Sequence, residues 1–326
     1  MRNKKMFSAA VLSAVLAASV LAGCGSSGAE PDKPITGVTT GAESGTAADE
    51  QVQEETHAEE AAESAVSVEA PEETANNEGS EVSIEEQVLF EGEGIKITAK
   101  GLEDDLFGTK LALLIENDSD RGITVQAQNA NVNGYMVTTM MSADVAAGKK
   151  ANDGLIFETS GLKECGIEQI ANMEFRFHIF DTNSWEDILN TDVIKIDTSI
   201  AEGYEQTYDD SGEVLVDVNN IKIVGKGLSS EDSFFGPGLI LYIENNSDQD
   251  VTIQTRDVSV NGFMTESLMS EDVVAHKKAI SAVTFLGTSL EENNIEEITD
   301  IELGFSIINF ETWETVFDSE TIAIHF

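Results

Sequence analysis

Residues 115–126 read IENDSDRGITVQ, and 128 positions later residues 243–254 read IENNSDQDVTIQ. In the first copy Asp118 and Asp120 stand two apart with Gly122 behind them, a spacing that a calcium loop also uses. In the second copy Asp118 gives way to Asn246, while Asp120 is matched by Asp248 and Asp250 follows. Neither copy has a glutamate at the twelfth loop position that an EF-hand needs for its bidentate ligand. Each stretch instead joins two runs of alternating apolar residues, and Asn, Asp and Ser close turns by bonding their own backbone. The stretch therefore reads as a turn between strands. A metal site at Asp118, Asp120, Asp248 and Asp250 is the weaker alternative.

The recurrence extends outward from this turn. GIKITAKGL at Gly94 returns as NIKIVGKGL at Asn220, and VNGYMVTTMMSADVAAGKK at Val132 returns as VNGFMTESLMSEDVVAHKK at Val260. MEFRFHIFDTNSWEDI at Met173 returns as IELGFSIINFETWETV at Ile301. From Phe107 onward the copies align without a gap, and two residues are inserted near Ser229 in the second. The period within each copy is two: Ile95, Ile97 and Ala99 alternate with Lys96, Thr98 and Lys100, and Phe175, Phe177 and Ile179 alternate with Arg176, His178 and Phe180. Such alternation marks half-buried strands. Asn133-Gly134 and Asn261-Gly262 are hairpin turns, because a type I′ turn needs positive φ at both central positions. A helical hint is confined to residues 162–169 and 290–297. Seven or eight short strands with turns between them predict an antiparallel β-sandwich of immunoglobulin type in each copy. The expected organisation is a leader at 1–23, an acidic linker at 24–85, repeats at 86–198 and 213–326, and a joint at 199–212.

The net charge of −43, from 61 acidic and 18 basic residues, argues against nucleic acid as a partner, since phosphate binding needs clustered Lys and Arg. Arg2, Lys4 and Lys5 precede an apolar run from Met6 to Leu21 that is short for a membrane span and suits a signal peptide. The run ends in LAGC, Leu21 to Cys24, which resembles the lipobox of bacterial lipoproteins. The resemblance implies cleavage before Cys24, a diacylglycerol on its thiol, and anchorage to the cell membrane on the extracytoplasmic side. Cys165, the other cysteine, is then left without an intramolecular partner and reads as a small apolar filler, since Asn293 holds its place in the second copy. Residues 25–85 are rich in Glu, Ala, Gly, Ser and Thr, with Lys33 their one basic residue and no aromatic. That composition predicts a disordered stalk, with a contour on the order of 200 Å.

The four histidines fall at His57, His178, His276 and His325, and none is kept between the copies. No HExxH, GxSxG or CxxC pattern is present. The expectation is a protein without enzymatic activity or cofactor. Both copies keep Phe107-Gly108 with Phe235-Gly236, Lys149-Lys150 with Lys277-Lys278, and Trp185 with Trp313. Lys149, Lys150, Trp185, Lys277, Lys278 and Trp313 are the candidate binding-loop residues. If each connection reverses the chain, Phe107, Asn133 and Tyr135 lie at one end of the first sandwich. Asp120, Asp144, Lys149, Lys150 and Trp185 then lie at the other. The tryptophans admit two readings. As core anchors, Trp185→Ala costs about 3–5 kcal/mol; as recognition residues, about 0.5 kcal/mol or less. Identical placement in both copies favours the anchor. Leu114 with Tyr242, and Phe180 with Ile308, form an outward apolar face suited to a ligand or to packing between the repeats.

The turn ENxSD, the following VNG and the late GIEQI segment resemble the telokin-like, immunoglobulin-fold domains of unknown function found in lipoproteins of Gram-positive bacteria. The resemblance implies a surface lipoprotein. The expected function is display of two sandwiches for an unknown protein or glycan ligand. A structural spacer, or an accessory subunit of an extracellular enzyme, is the alternative.

Overall fold

A computed structural model describes residues 31–41, 82–229 and 235–326. The leader 1–23 and Cys24 lie outside the described residues. Among the described residues, no helix is long and apolar enough to cross a membrane.

The fold is all-β and immunoglobulin-like. In the first repeat, Gln87–Gly92, Ile95–Asp105, Gly108–Asn117, Lys149–Glu158 and Thr139–Met140 form one antiparallel sheet in that order. Opposite it, Asn172–Asp181 lies between Ile123–Val132 on one side and Asp187–Asn190 with Ile194–Asp197 on the other. The second repeat repeats the plan, with Ile221–Leu228, Gly238–Asn245 and Lys277–Phe285 central to one sheet and Val251–Val260 and Asp300–Asn309 central to the other. The period-two residues point inward: Ile97, Ala99, Phe175, Phe177 and Ile179 are fully buried. Each repeat encloses its own hydrophobic cluster between the facing sheets. Asn133 and Gly134 take φ of 51° and 86°, and Asn261 and Gly262 take 49° and 82°, the left-handed pair that a type I′ turn requires.

The short helices are Thr159–Glu164 and Gly287–Glu292, a few residues earlier than the sequence hint. Leu162 and Leu290 dip from them into the two clusters, and those contacts set the position. Gly108 explains the Phe-Gly pair. Its φ is positive and a Cβ there would overlap the carbonyl oxygen of Phe157, as one at Gly236 would overlap that of Phe285. Only glycine lets these strands close.

The reading of 24–85 as disordered is corrected where the segment is described. Near its end, the Ser199 amide donates to the Ser83 carbonyl at 2.8 Å and Ile84 packs on the first cluster. Near its start, Gly37–Thr40 is a strand, antiparallel to Ile322–His325 at the edge of the second repeat. Composition underestimates such a segment because its hydrogen bonds come from a finished sheet edge rather than from its own apolar content.

The repeats also join each other. Lys278 pairs in parallel with Tyr135, its amide donating to the Gly134 carbonyl at 3.0 Å, so that one sheet runs through both repeats.

Candidate functional site

The hairpin loop that carries each tryptophan is built from the strand end upward. Asp181 closes it: its amide donates to the Glu186 carbonyl, and its carboxylate accepts from the Asn183 and Ser184 amides, each at 2.9 Å. Those amides hold the Asp181 carboxyl below the usual aspartate range. Asn309 makes the same loop in the second repeat, accepting from the Glu311 and Thr312 amides. The Trp185 amide donates to the Asp181 carbonyl and the Trp313 amide to that of Asn309, both at 2.9 Å. This closure places Trp185 at φ 61° and Trp313 at φ 59°. Left-handed backbone is costly for a bulky L-residue and recurs where function holds it in place.

Both side chains stand out of the fold, Trp185 at 73% exposure and Trp313 at 69%. The anchor expectation is therefore corrected. Trp185 stands in the five-residue connection between Asn172–Asp181 and Asp187–Asn190, two residues before the second strand, with its indole outside the core. Trp185 lies flat on Phe180, with ring centres 5.5 Å apart and planes 18° apart. Phe180, expected to be an outward apolar residue, is 5% exposed.

The neighbouring turn at the same end is organised by Asn117, whose side chain bonds the local backbone as the turn reading expects. Asn117 is fully buried; its amide donates to the Arg121 and Val145 carbonyls at 2.8 and 2.9 Å, and its oxygen accepts from the amide and hydroxyl of Ser119. Asn245 repeats every one of these bonds with Gln249, Val273 and Ser247. The identical Asn and Ser at the same places in both copies was the available signal. Asp118, Asp120 and Asp248 point to solvent, and Asp250 accepts from the Ala275 amide. Among the described residues, no three His, Cys, Asp or Glu side chains are grouped to hold a metal.

The structure separates the lysine pairs. Lys149 and Lys150 are exposed, with Lys150 paired to Glu116. Lys277 and Lys278 lie between the repeats, so their reading as ligand-binding loop residues is corrected. Lys277 meets Glu174 of the first repeat at 2.6 Å, and the Lys278 ammonium sits 5.6 Å from the Tyr135 ring centre and 5.9 Å from that of Tyr242. Tyr208, in the joint, stacks on Tyr242 at 5.9 Å. Tyr242 and Val224 thereby belong to the first repeat's cluster, and Met136 packs on the second's. Burial pushes the Tyr135 and Tyr208 hydroxyls up to about 12. The outward face at Tyr242 is thus closed by packing between the repeats. Cys165 lies beside this junction, buried, with its thiol pushed up to about 12 by that burial.

At the opposite end, Phe107, Phe263 and Met264 are exposed, whereas Tyr135, the counterpart of Phe263, is covered by the second repeat. Two matched aromatic pairs are exposed in both repeats, Trp185 with Trp313 and the less exposed Phe107 with Phe235.

No family model matches the chain, and no curated protein matches it. Among solved structures, that of the YadV chaperone is 11% identical, with 65% of this chain and 91% of that one covered and a TM-score of 0.22. The complex of the Salmonella enterica SafA pilin with the SafB chaperone is 13% identical, covering 64% and 87%, with a TM-score of 0.20. The E. coli chaperone DraB is 11% identical, covering 65% and 88%, also with a TM-score of 0.20.

Proposed function

We propose that the chain is a lipid-anchored protein on the extracytoplasmic side of the cell membrane that holds a protein or glycan through its tryptophan loop ends, without enzymatic activity. The observation that carries this reading is the repeated placement of an exposed Trp in left-handed backbone. Trp has the largest area to bury on binding and is prominent among binding hot spots. A sandwich loop held by its own backbone hydrogen bonds presents it at little ordering cost. LAGC supplies the anchor, through a thioether at Cys24. A spacer role without a ligand explains the fused sheet equally well, but gives no reason for Trp at a strained, exposed position.

The test uses the chain carrying Cys24→Ser and cells that lack the protein. The soluble chain should bind those cells, and Trp185→Ala with Trp313→Ala should reduce binding at least tenfold while leaving the fold intact by circular dichroism. Protease treatment of the cells separates a protein ligand from a glycan. Equal binding by the double variant refutes the loop reading. Unchanged membrane partitioning of Cys24→Ala refutes the anchor.

A further inference from the structure

The segment at 31–40 meets the second repeat along a surface shaped to receive it. The Asp32 amide donates to the Leu228 carbonyl and the Leu228 amide to the Lys33 carbonyl, both at 2.9 Å. The Thr36 amide then donates to the His325 carbonyl at 2.7 Å, and Gly37–Thr40 continues in register along Ile322–His325. The segment thus bridges the open edges of both sheets. Ile35 and Val38 pack on the second cluster, and the Lys33 ammonium reaches the Glu297 carboxylate at 2.6 Å and the Ile298 carbonyl at 2.9 Å.

The matching surface of the first repeat lacks these fittings. A Cβ at Gly225 would lie 2.7 Å from Cδ1 of Ile35, and the first repeat has Ala99 there. A Cβ at Gly227 would lie 2.5 Å from the Lys33 carbonyl oxygen, whereas its counterpart Gly101 faces open space. Glu297 is matched by Gln169, which offers Lys33 no charge. Among the described residues, Ile194–Asp197 pairs with Asn172–Asp181 alone and has no added strand on its other edge.

We propose that residues 31–40 are a donor strand made for the second repeat alone, and that this groove is a strand-binding site that fixes the chain's path from its N-terminal end. Given the anchor at Cys24 argued above, a consequence follows for the geometry. Seven residue steps separate Cys24 from Pro31, a reach of about 25 Å at full extension. The carboxy-terminal repeat, rather than the amino-terminal one, is then the repeat held beside the bilayer.

Hydrogen exchange of the full chain carrying Cys24→Ser tests the strand without the lipid. Amides of 36–41 and those of Ile322–His325 that face them should exchange at least tenfold more slowly than in a free peptide. Gly225→Ala should remove that protection, since the first repeat shows that Ala fits the strand itself. Adding Ile35→Val, which deletes the Cδ1 methyl nearest that Cβ and leaves Leu215 Cδ1 at 3.1 Å as the next contact, should restore most of it. Unprotected 36–41 amides in the parent chain overturn the proposal, as does protection that Gly225→Ala leaves unchanged. Loss of protection that Ile35→Val does not recover overturns the fitted-groove argument. None of these results depends on lipidation, which the Cys24→Ala partitioning reads separately.

Discussion

Replacing Trp185 by Ala distinguishes an exposed platform from a core anchor. Trp185 is 73% exposed, so roughly a quarter of an indole area of about 250 Å² is covered, or about 60 Å². At about 25 cal/mol per Å² that burial contributes about 1.5 kcal/mol, an upper value because unfolded chains already cover some of it. The stack on Phe180 adds about 0.5–1.5 kcal/mol in this repeat. The left-handed backbone is equally unfavourable for Ala, so its cost does not change. Trp185→Ala is therefore expected to cost about 1.5–3 kcal/mol, and Trp185→Gly to be no less stable than Trp185→Ala because glycine relieves the positive φ. Trp313→Ala should cost less than Trp185→Ala, since Ile308 holds the position of Phe180 in the second repeat and offers no ring to stack on. Denaturant melts of the full chain, followed by far-ultraviolet circular dichroism, give these differences. A loss above 3 kcal/mol for Trp185→Ala, or a glycine variant clearly weaker than the alanine one, would refute the platform.

Asn117→Ala should cost about 2–4 kcal/mol in denaturant melts, because it takes a donor from the buried Val145 carbonyl and the acceptor from the Ser119 amide and hydroxyl. Asp120→Asn, with millimolar calcium or without, should leave the melting temperature unchanged; a calcium shift removed by that substitution would restore the metal reading. Lys277→Glu places two carboxylates together at Glu174 and should loosen the repeats, seen as a larger radius of gyration in solution scattering with both repeats still folded. Burial pushes the Glu164 and Glu271 carboxyls up to about 7 from an ordinary 4.5. Between those values the folded chain keeps protons that the unfolded chain releases, so stability should fall as pH rises from about 4.5 to 7. Glu164→Gln with Glu271→Gln should flatten that fall, and a melting temperature that climbs through this window in the parent chain would contradict it. Cys165 should resist iodoacetamide at pH 8 until the chain is unfolded.

The strands were legible because their signals are local. Ile95, Ile97 and Ala99 declare a buried face by spacing alone, and Asn133-Gly134 declares its turn by the only backbone it favours. The misses share a different cause. Gly37–Thr40 has four residues and no apolar pattern of its own; its order comes from Ile322–His325, some 285 positions away in sequence. Tyr242 reads as an exposed aromatic until Tyr208 and Tyr135 are brought over it by the path of the joint. The local bonds of Asn117 follow from the turn reading, but nothing in the sequence shows that Val145 closes over it. Each depends on a partner distant in sequence.

Comparison of the copies turns that weakness into an argument about the tryptophans. Positions fixed by the shared fold stay the same: Asn117 with Asn245, Asn133 with Asn261, and Gly108 with Gly236. Several positions that meet something only one repeat meets have diverged, although Lys277, Lys278 and Gly227 match Lys149, Lys150 and Gly101. Val224, Tyr242 and Ile280 pack against the first repeat or the joint, and their counterparts are Thr98, Leu114 and Asn152. Gly225 and Glu297 receive the 31–40 strand, and theirs are Ala99 and Gln169. Trp185 and Trp313 belong to neither group. The loop's closing bonds are made by backbone amides and by Asp181 or Asn309, so the fold needs no indole there, and the position of Phe180, on which Trp185 stacks, is Ile308 in the second repeat. Neither Trp lies at the junction of the repeats. Glycine would satisfy the backbone better at both positions, yet both carry the bulkiest side chain available. A demand common to both repeats and external to the fold would account for that choice, and the ligand contact proposed for the two loops is such a demand.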